Sequence, residues 1–170
     1  MQMLNRYFTP FALILIVSAA YFRGLWEDES RATAYIALAI LAGDLLVNWW
    51  LSKNQYRWAG WAGKFRQAQV WLNLAWSIPL FYLLFPYWSP MWLLFVMAPT
   101  AAALTFGLGE TLLCAAAASL AMIGVYHSRQ PLTGEFLGMA LSQAAFIVIF
   151  SLFVHGLAQA ALRLRDANRT

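Results

Sequence analysis

Long apolar stretches constrain this chain more than any other feature of its sequence. Six of them run roughly over 8–25, 33–51, 68–85, 91–108, 111–127 and 134–162. The first five are near the ~20 residues that a helix needs to cross a bilayer, and the sixth is longer than one span, so its last turns from about Gly156 are predicted to continue into water as a helix. Hydrophobic residues make up 62% of the 170 residues and charged residues 11%, whereas soluble domains average about 45–50% and 25%. We therefore predict an all-α polytopic membrane protein with six transmembrane helices, which excludes a soluble domain, a disordered chain and a nucleic-acid-binding protein.

The distribution of Lys and Arg predicts the orientation of these spans. Eight of the eleven basic residues fall on one side of the predicted membrane: Arg6, Lys53, Arg57, Lys64, Arg66, Arg163, Arg165 and Arg169. Arg23, Arg31 and Arg129 fall on the other side, together with Glu27, Asp28, Glu29 and Glu135. Cytoplasmic loops carry the excess of basic residues in membrane proteins. Both termini are therefore predicted to be cytoplasmic (N-in/C-in), and the net charge of +4 follows from that orientation.

Four polar residues inside the spans form a predicted intramembrane cluster. Asp44 is the acidic residue that lies deepest in a predicted span, and Asn48 follows it one turn later on the same helix face. Asn73 in span three and His155 in span six are predicted at a similar depth. A charge there costs about 2.5–3.5 kcal/mol on insertion scales, so it normally faces a partner or a cavity. An Asp–His pair that titrates near neutral pH and simple interhelical hydrogen bonding are both open interpretations.

The connection over 52–67 predicts a short helix at the cytoplasmic membrane surface. As a helix it groups aromatic rings on one arc and cations on an adjacent one; the residues are Trp58, Trp61 and Phe65, and Lys53, Arg57 and Lys64. Rings among acyl chains and cations near anionic headgroups are typical of an interfacial anchor. The bilayer is the partner that this segment implies, whether it anchors the loop or senses lipid.

Small residues recur along the last two spans. Gly134, Gly138 and Ser142 are spaced every four residues in span six, and Ala117, Ala121 and Gly124 lie at matching depth in span five. Small residues let membrane helices approach closely. We predict a packing seam between these two spans, with a homodimer seam as the alternative.

Catalytic and metal-binding patterns are missing from the sequence. Cys114 is the single cysteine, which excludes a disulfide framework and a CxxC metal site. His127 and His155 are predicted to lie about 20 Å or more apart, given the rise of 1.5 Å per residue. No nucleophile elbow or carboxylate pair is present. We therefore predict no catalytic residue, no metal site and no cofactor.

The end of the chain carries the most specific functional signal. Span six passes without a stop into a charged stretch that favours helix, and Leu157, Ala160, Leu164 and Ala167 make a weak heptad. Residues 150–170 (FSLFVHGLAQAALRLRDANRT) resemble the last span and linker of bacterial sensor histidine kinases, in particular the six-span, nearly loop-free sensors of the type IV pilus sensor kinase kind. No kinase or phosphoacceptor segment follows within this sequence.

That resemblance implies a division of the chain and a function. Residues 1–156 would form a six-helix transmembrane bundle, and 157–170 would begin a cytoplasmic signalling helix. The protein would be a sensory input module in the cytoplasmic (inner) membrane of a bacterium. It would be dimeric through span six and would act on a cytoplasmic signalling domain.

Two other classes are open. One is the substrate-binding subunit of a vitamin-type transporter, with Trp88, Trp92 or Tyr126 lining an outer-facing pocket. The short outer turns disfavour this class. The other is a small structural subunit of a larger membrane complex, for which the Trp-rich faces and the small-residue seams would supply contacts.

Overall fold

Helices account for almost every residue that the structure describes. The computed structural model describes residues 2–23, 31–54, 62–129 and 133–167. In chain order they form α1 (Gln2–Arg23), α2 (Arg31–Asn54), α3 (Ala62–Leu84), a 3-10 helix (Ser89–Leu93), α4 (Leu94–Thr105), α5 (Leu108–Arg129) and α6 (Gly134–Ala167). No strand occurs in the described ranges, and the predicted all-α class is confirmed.

Three of these helices are long and apolar enough to cross a membrane: Arg31–Leu51, Leu108–Arg129 and Gly134–Ala167. Two shorter apolar helical stretches, Pro10–Ala19 and Ser89–Thr105, lie between or before them. At 23 residues, α3 has the length to span, but its Gln69, Asn73 and Ser77 lower its apolarity. The class of membrane protein is supported, while six spans and the N-in/C-in orientation stay predictions.

The chain divides into two compact units, Met1–Leu94 and Phe95–Thr170. In the first unit α2 packs against both α1 and α3. The buried residues of α2 are spaced three and four apart and form one stripe: Ala34, Ala37, Leu41, Asp44 and Asn48. Such spacing places them on a single helix face. That stripe is apolar over its first half and polar over its second.

The buried face of α3 shows the same change in the opposite direction. It buries Gln69, Asn73 and Ser77 among Val70 and Leu74, and its last turns bury only apolar residues, Leu80, Phe81 and Leu84. Asn48 bonds to Asn73, and Gly43 lies against the ring of Trp76, so the two helices run antiparallel. The polar half of α2 therefore meets the polar half of α3, close to the chain connection between them.

The second unit contains α4, α5 and α6. The 12 residues of α4 are buried on most sides, with Phe95, Ala98, Ala101 and Ala102 at 2% exposure or less. The packing of α5 against α6 is the most extensive helix contact among the described elements. With 34 residues, α6 runs unbroken from Gly134 to Ala167, so the predicted helical continuation beyond Gly156 is confirmed.

Candidate functional site: a buried polar cluster

Asp44, Asn48 and Asn73 meet at the interface of α2 and α3 and are called the polar cluster below. Their side chains are 0%, 2% and 1% exposed. The Asn48 amide nitrogen Nδ2 donates to Asp44 Oδ1 at 2.8 Å and to Asn73 Oδ1 at 3.0 Å. Asn48 thus makes one hydrogen bond within α2, to Asp44, and one across to α3, to Asn73.

Local helix geometry puts these residues together. Asp44 and Asn48 are one turn apart, where side chains share a face, and this face is the stripe of α2 that packs on α3. Their i, i+4 spacing lets the amide reach the carboxyl within one helix. These contacts bring together Asp44, Asn48 and Asn73, three of the four residues of the predicted intramembrane cluster.

Ser77 extends the polar surface by one more turn of α3. Its hydroxyl donates to the Asn73 carbonyl at 2.9 Å and lies 3.4 Å from the Leu94 carbonyl. Bonding back to the carbonyl four residues earlier is how a hydroxyl is satisfied within a membrane helix. Ser77 is therefore a satisfied neighbour of the polar cluster, whose own members are not all satisfied.

Four buried polar atoms at this interface have no hydrogen-bond partner: Asp44 Oδ2, Asn48 Oδ1, Asn73 Nδ2 and Trp76 Nε1. Two are acceptors and two are donors. Native proteins pair the great majority of such atoms, so each exception calls for an explanation. Unpaired donors and acceptors grouped in this way give the interface the chemistry to bind a proton.

Trp76 is a member of this interface that the sequence analysis missed. Its ring lies 3.7 Å from the position that a Cβ on Gly43 would take, and Gly43 directly precedes Asp44. The available signal was the spacing of Asn73 and Trp76, because residues three apart share a helix face. A Trp in a membrane protein is more readily interpreted as an interfacial anchor.

His155 lies in the second unit, on α6. Its Nδ1 is 3.2 Å from the carbonyl oxygen of Ala103, within the last turn of α4. This contact ties the middle of α6 to the C-terminal end of α4. The expectation that His155 joins Asp44 stays a prediction.

The predicted surface helix over 52–67 is corrected where the structure describes it. Lys53 belongs to the last turn of α2, and Lys64 and Phe65 belong to the first turn of α3, so these residues extend the flanking helices. Good helix formers on both sides allow this extension. Lys53 Nζ lies 5.0 Å from the centre of the Trp49 ring, which is cation–π geometry. Arg57, Trp58 and Trp61 lie outside the described residues.

The predicted seam between the last two spans is wrong in its helix faces. Gly134, Gly138 and Ser142 are exposed, and a Cβ added at Gly124, Gly134 or Gly138 meets nothing within 4 Å. Ala117 and Ala121 are only half-buried. The buried face of α6 comprises Ala140, Gln143, Ile147 and Ser151. At 100° per residue, it lies about 180° around the helix from the glycines.

Polar side chains explain why the other faces meet. Tyr126 Oη donates to Gln143 Oε1 at 2.8 Å, and Ser119 Oγ lies 3.5 Å from the Ala144 carbonyl. In an apolar surrounding these groups gain more from partners across the helix pair than small residues gain from close approach. The homodimer alternative for the glycine stripe stays a prediction.

Tyr126 was also a candidate for lining an outer pocket. It is fully buried, its hydroxyl is engaged by Gln143, and its ring meets Phe136 edge to face at 5.9 Å. This packing leaves Tyr126 as a structural residue of the α5–α6 pair. Trp88 and Trp92 are half-buried, and their role in a pocket stays a prediction.

Metal-ligating side chains do not gather anywhere in the described ranges, since no three His, Cys, Asp or Glu residues lie close enough to hold an ion.

Comparison with known proteins finds no match to a protein family, to a curated protein or to a solved structure. The functional argument therefore depends on the geometry of the polar cluster and of α6.

Proposed function

We propose that this chain is a membrane-embedded sensory input module of a bacterial signal-transduction protein, with six spans and both termini in the cytoplasm. In this proposal a signal shifts the helix bundle between two packings, and α6 carries the change to a cytoplasmic output domain. It acts in the inner membrane as a homodimer. The observation that supports it best is the length and continuity of α6.

The dimensions of α6 suit a relay. Its 34 residues make a helix about 50 Å long, given a rise of 1.5 Å per residue. The hydrocarbon core of a bilayer is only about 30 Å thick. About 20 Å of helix is left to leave the membrane, and this excess corresponds to the charged stretch with Arg163 and Arg165.

The exposed end of α6 carries a stripe on which a second helix can pack. Leu157, Ala160, Leu164 and Ala167 are exposed and follow a 3–4–3 spacing. Such a spacing is the beginning of a coiled-coil heptad. A two-helix output stalk built on this stripe would couple rotation of α6 to the orientation of a downstream domain.

His155 supplies a contact through which the bundle would control α6. It holds α6 against the carbonyl of Ala103. The heptad stripe begins two residues later, at Leu157. A change in α4 that alters this contact would reach α6 where the helix leaves the apolar region. Sensory input of this kind needs two discrete packings and no large outer domain.

A register scan tests the proposal. Residues 1–170 are joined to the catalytic core of a histidine kinase through helical inserts of zero to about seven residues, and autophosphorylation is measured in membrane vesicles. Because each added residue rotates the core by about 100°, we expect kinase output to rise and fall with insert length and to repeat after about seven residues. Equal output at every insert length would contradict the proposal.

A matched pair at Gly156 serves as the control for helix continuity. A Cβ at this position meets nothing within 4 Å, so Gly156→Ala should keep the register dependence. Gly156→Pro breaks the hydrogen-bond ladder of the helix, at a cost of about 3 kcal/mol, and should flatten the output across all inserts. Retained register dependence in the proline variant would mean that α6 is not the relay.

A further inference from the structure

The carboxyl of Asp44 and the amide of Asn48 face each other with unmatched hydrogen-bonding groups. Asn48 Nδ2 donates to Asp44 Oδ1 at 2.8 Å. The second oxygen of each side chain, Asp44 Oδ2 and Asn48 Oδ1, has no donor. Both are acceptors when Asp44 is ionised, so neither can satisfy the other in that form.

Each of these two oxygens shares a carbon with an atom of the existing hydrogen bond. Asp44 Oδ2 is about 2.2 Å from Asp44 Oδ1, and Asn48 Oδ1 is about 2.3 Å from Asn48 Nδ2. A neutral carboxylic acid has one O–H donor in addition to its acceptor oxygen. One proton on Asp44 Oδ2 would therefore convert the acceptor pair into an O–H···O hydrogen bond beside the existing N–H···O bond.

Among the described residues, Asn48 supplies the one hydrogen bond to the Asp44 carboxyl, and no cation pairs with it. The described titratable side chains of α1 and α3, the two helices packed on α2, are all exposed: Tyr21, Lys64, Arg66 and Tyr82. On α2 itself Lys53 is nine residues away and is placed over the Trp49 ring. Asn73 Nδ2 and Trp76 Nε1 are donors, but neither makes a hydrogen bond. A buried carboxylate without a cation and with a single donor is strongly disfavoured in an apolar interior.

We propose that the polar cluster is a proton-binding site, in which one proton bridges Asp44 Oδ2 to Asn48 Oδ1 and closes a ring of two hydrogen bonds. The proton comes from water, and its uptake turns a carboxylate and an amide that repel through their oxygens into a neutral acid–amide pair. Its release restores that repulsion at the surface where α2 packs on α3. The site does not depend on the sensory function proposed above, although it would give such a module a pH signal.

Infrared spectroscopy of the full chain in lipid nanodiscs at pH 7 tests the site directly. The wild-type protein should show the C=O stretching band of a neutral carboxylic acid, which shifts in deuterated water. Asp44→Asn should lose the band while keeping the helical circular dichroism, because its amide reproduces the donor and acceptor of the protonated acid. Asp166→Asn and Glu135→Gln, which remove exposed carboxylates, should keep the band.

A second variant examines the bridge to Asn48. Asn48→Leu removes the acceptor of the proposed O–H group, and the remaining carboxylic acid band should move to higher frequency. A wild-type spectrum without a neutral carboxyl band, or a band that survives in Asp44→Asn, overturns the proposal. The buffer salt can also be changed from choline chloride to sodium chloride at constant pH. Loss of the band on this change overturns the proposal, since the site would then hold a metal cation in place of the proton.

Discussion

At the scale of single residues, the bond between Tyr126 and Gln143 decides how the second unit is assembled. The phenol lies on α5, the amide lies on α6, and both are buried. An unpaired phenol at this position would have to give up water without compensation. The bond therefore selects the face of α5 that contacts α6.

A double-mutant cycle measures that bond. Tyr126→Phe and Gln143→Leu should each lower the free energy of unfolding. It is measured by adding sodium dodecyl sulfate to the protein in a mild detergent. The double variant should reveal a coupling of about 0.6 kcal/mol, the average for hydrogen bonds between membrane helices. Additive effects of the two changes would show that the bond does not stabilise the packing of α5 on α6.

The sequence could predict the members of the polar cluster because a polar side chain in an apolar span needs a partner. Asp44, Asn48 and Asn73 were recognisable in this way, and the one-turn spacing of the first two fixed their common face. Trp76 was not recognisable, because an indole combines an apolar ring with a single N–H group. The place of His155 depends on the packing of α4 and α6, which residue spacing within one helix does not determine.

At the scale of helices, the pairing of α5 and α6 shows how buried and exposed small residues differ. Ala118 is fully buried, whereas Gly138 has open space where a side chain would begin. A small residue is required only where another chain segment occupies the neighbouring volume. Small residues on the buried and the exposed side of this helix pair thus differ in their tolerance to enlargement.

Substitution by leucine at these two positions tests the helix faces. Ala118→Leu should lower the free energy of unfolding by about 1–3 kcal/mol, the usual cost of overpacking. Gly138→Leu adds an even larger group but should not lower it, because the site is exposed and leucine has a higher helix propensity than glycine. Thermal unfolding in detergent provides the measurement. A larger loss of stability for Gly138→Leu than for Ala118→Leu would show that the glycine face of α6 packs against another helix.

Helix existence was more predictable than helix packing. Apolar length located α2, α5 and α6, and the charged end of α6 was foreseen because its residues favour helix. Periodicity alone did not reveal which face of α5 meets α6, since small residues and polar residues mark different faces. It also did not reveal that α3 begins at Ala62, because the polar residues at its start resemble a loop as much as a helix.

At the scale of the whole molecule, the number of membrane crossings is the main prediction still to be tested. The loop charges predict Ser89 outside and Gly107 inside, with the short apolar stretch Ser89–Thr105 as the crossing between them. Both residues are exposed, so cysteines there are reachable. They can be introduced in a Cys114→Ala background, which removes the buried native thiol.

Labelling with a membrane-impermeant maleimide in bacterial spheroplasts gives the measurement. Ser89→Cys should react in intact spheroplasts, because its thiol faces the outer solution in the predicted orientation. Gly107→Cys should react only after the membrane is permeabilised. Labelling of Gly107→Cys in intact cells, with Ser89→Cys protected, would reverse the orientation, and equal protection of both would place Ser89–Thr105 on one side of the membrane.

The unbroken helix α6 has the length to act as a lever. A tilt of about 5° about one end of a helix about 50 Å long displaces its other end by about 4 Å. That displacement equals the distance at which two apolar side chains come into contact or part. A reorientation near Gly134 that is too small to disturb the neighbouring packing is therefore large enough to make or break a contact at Ala167.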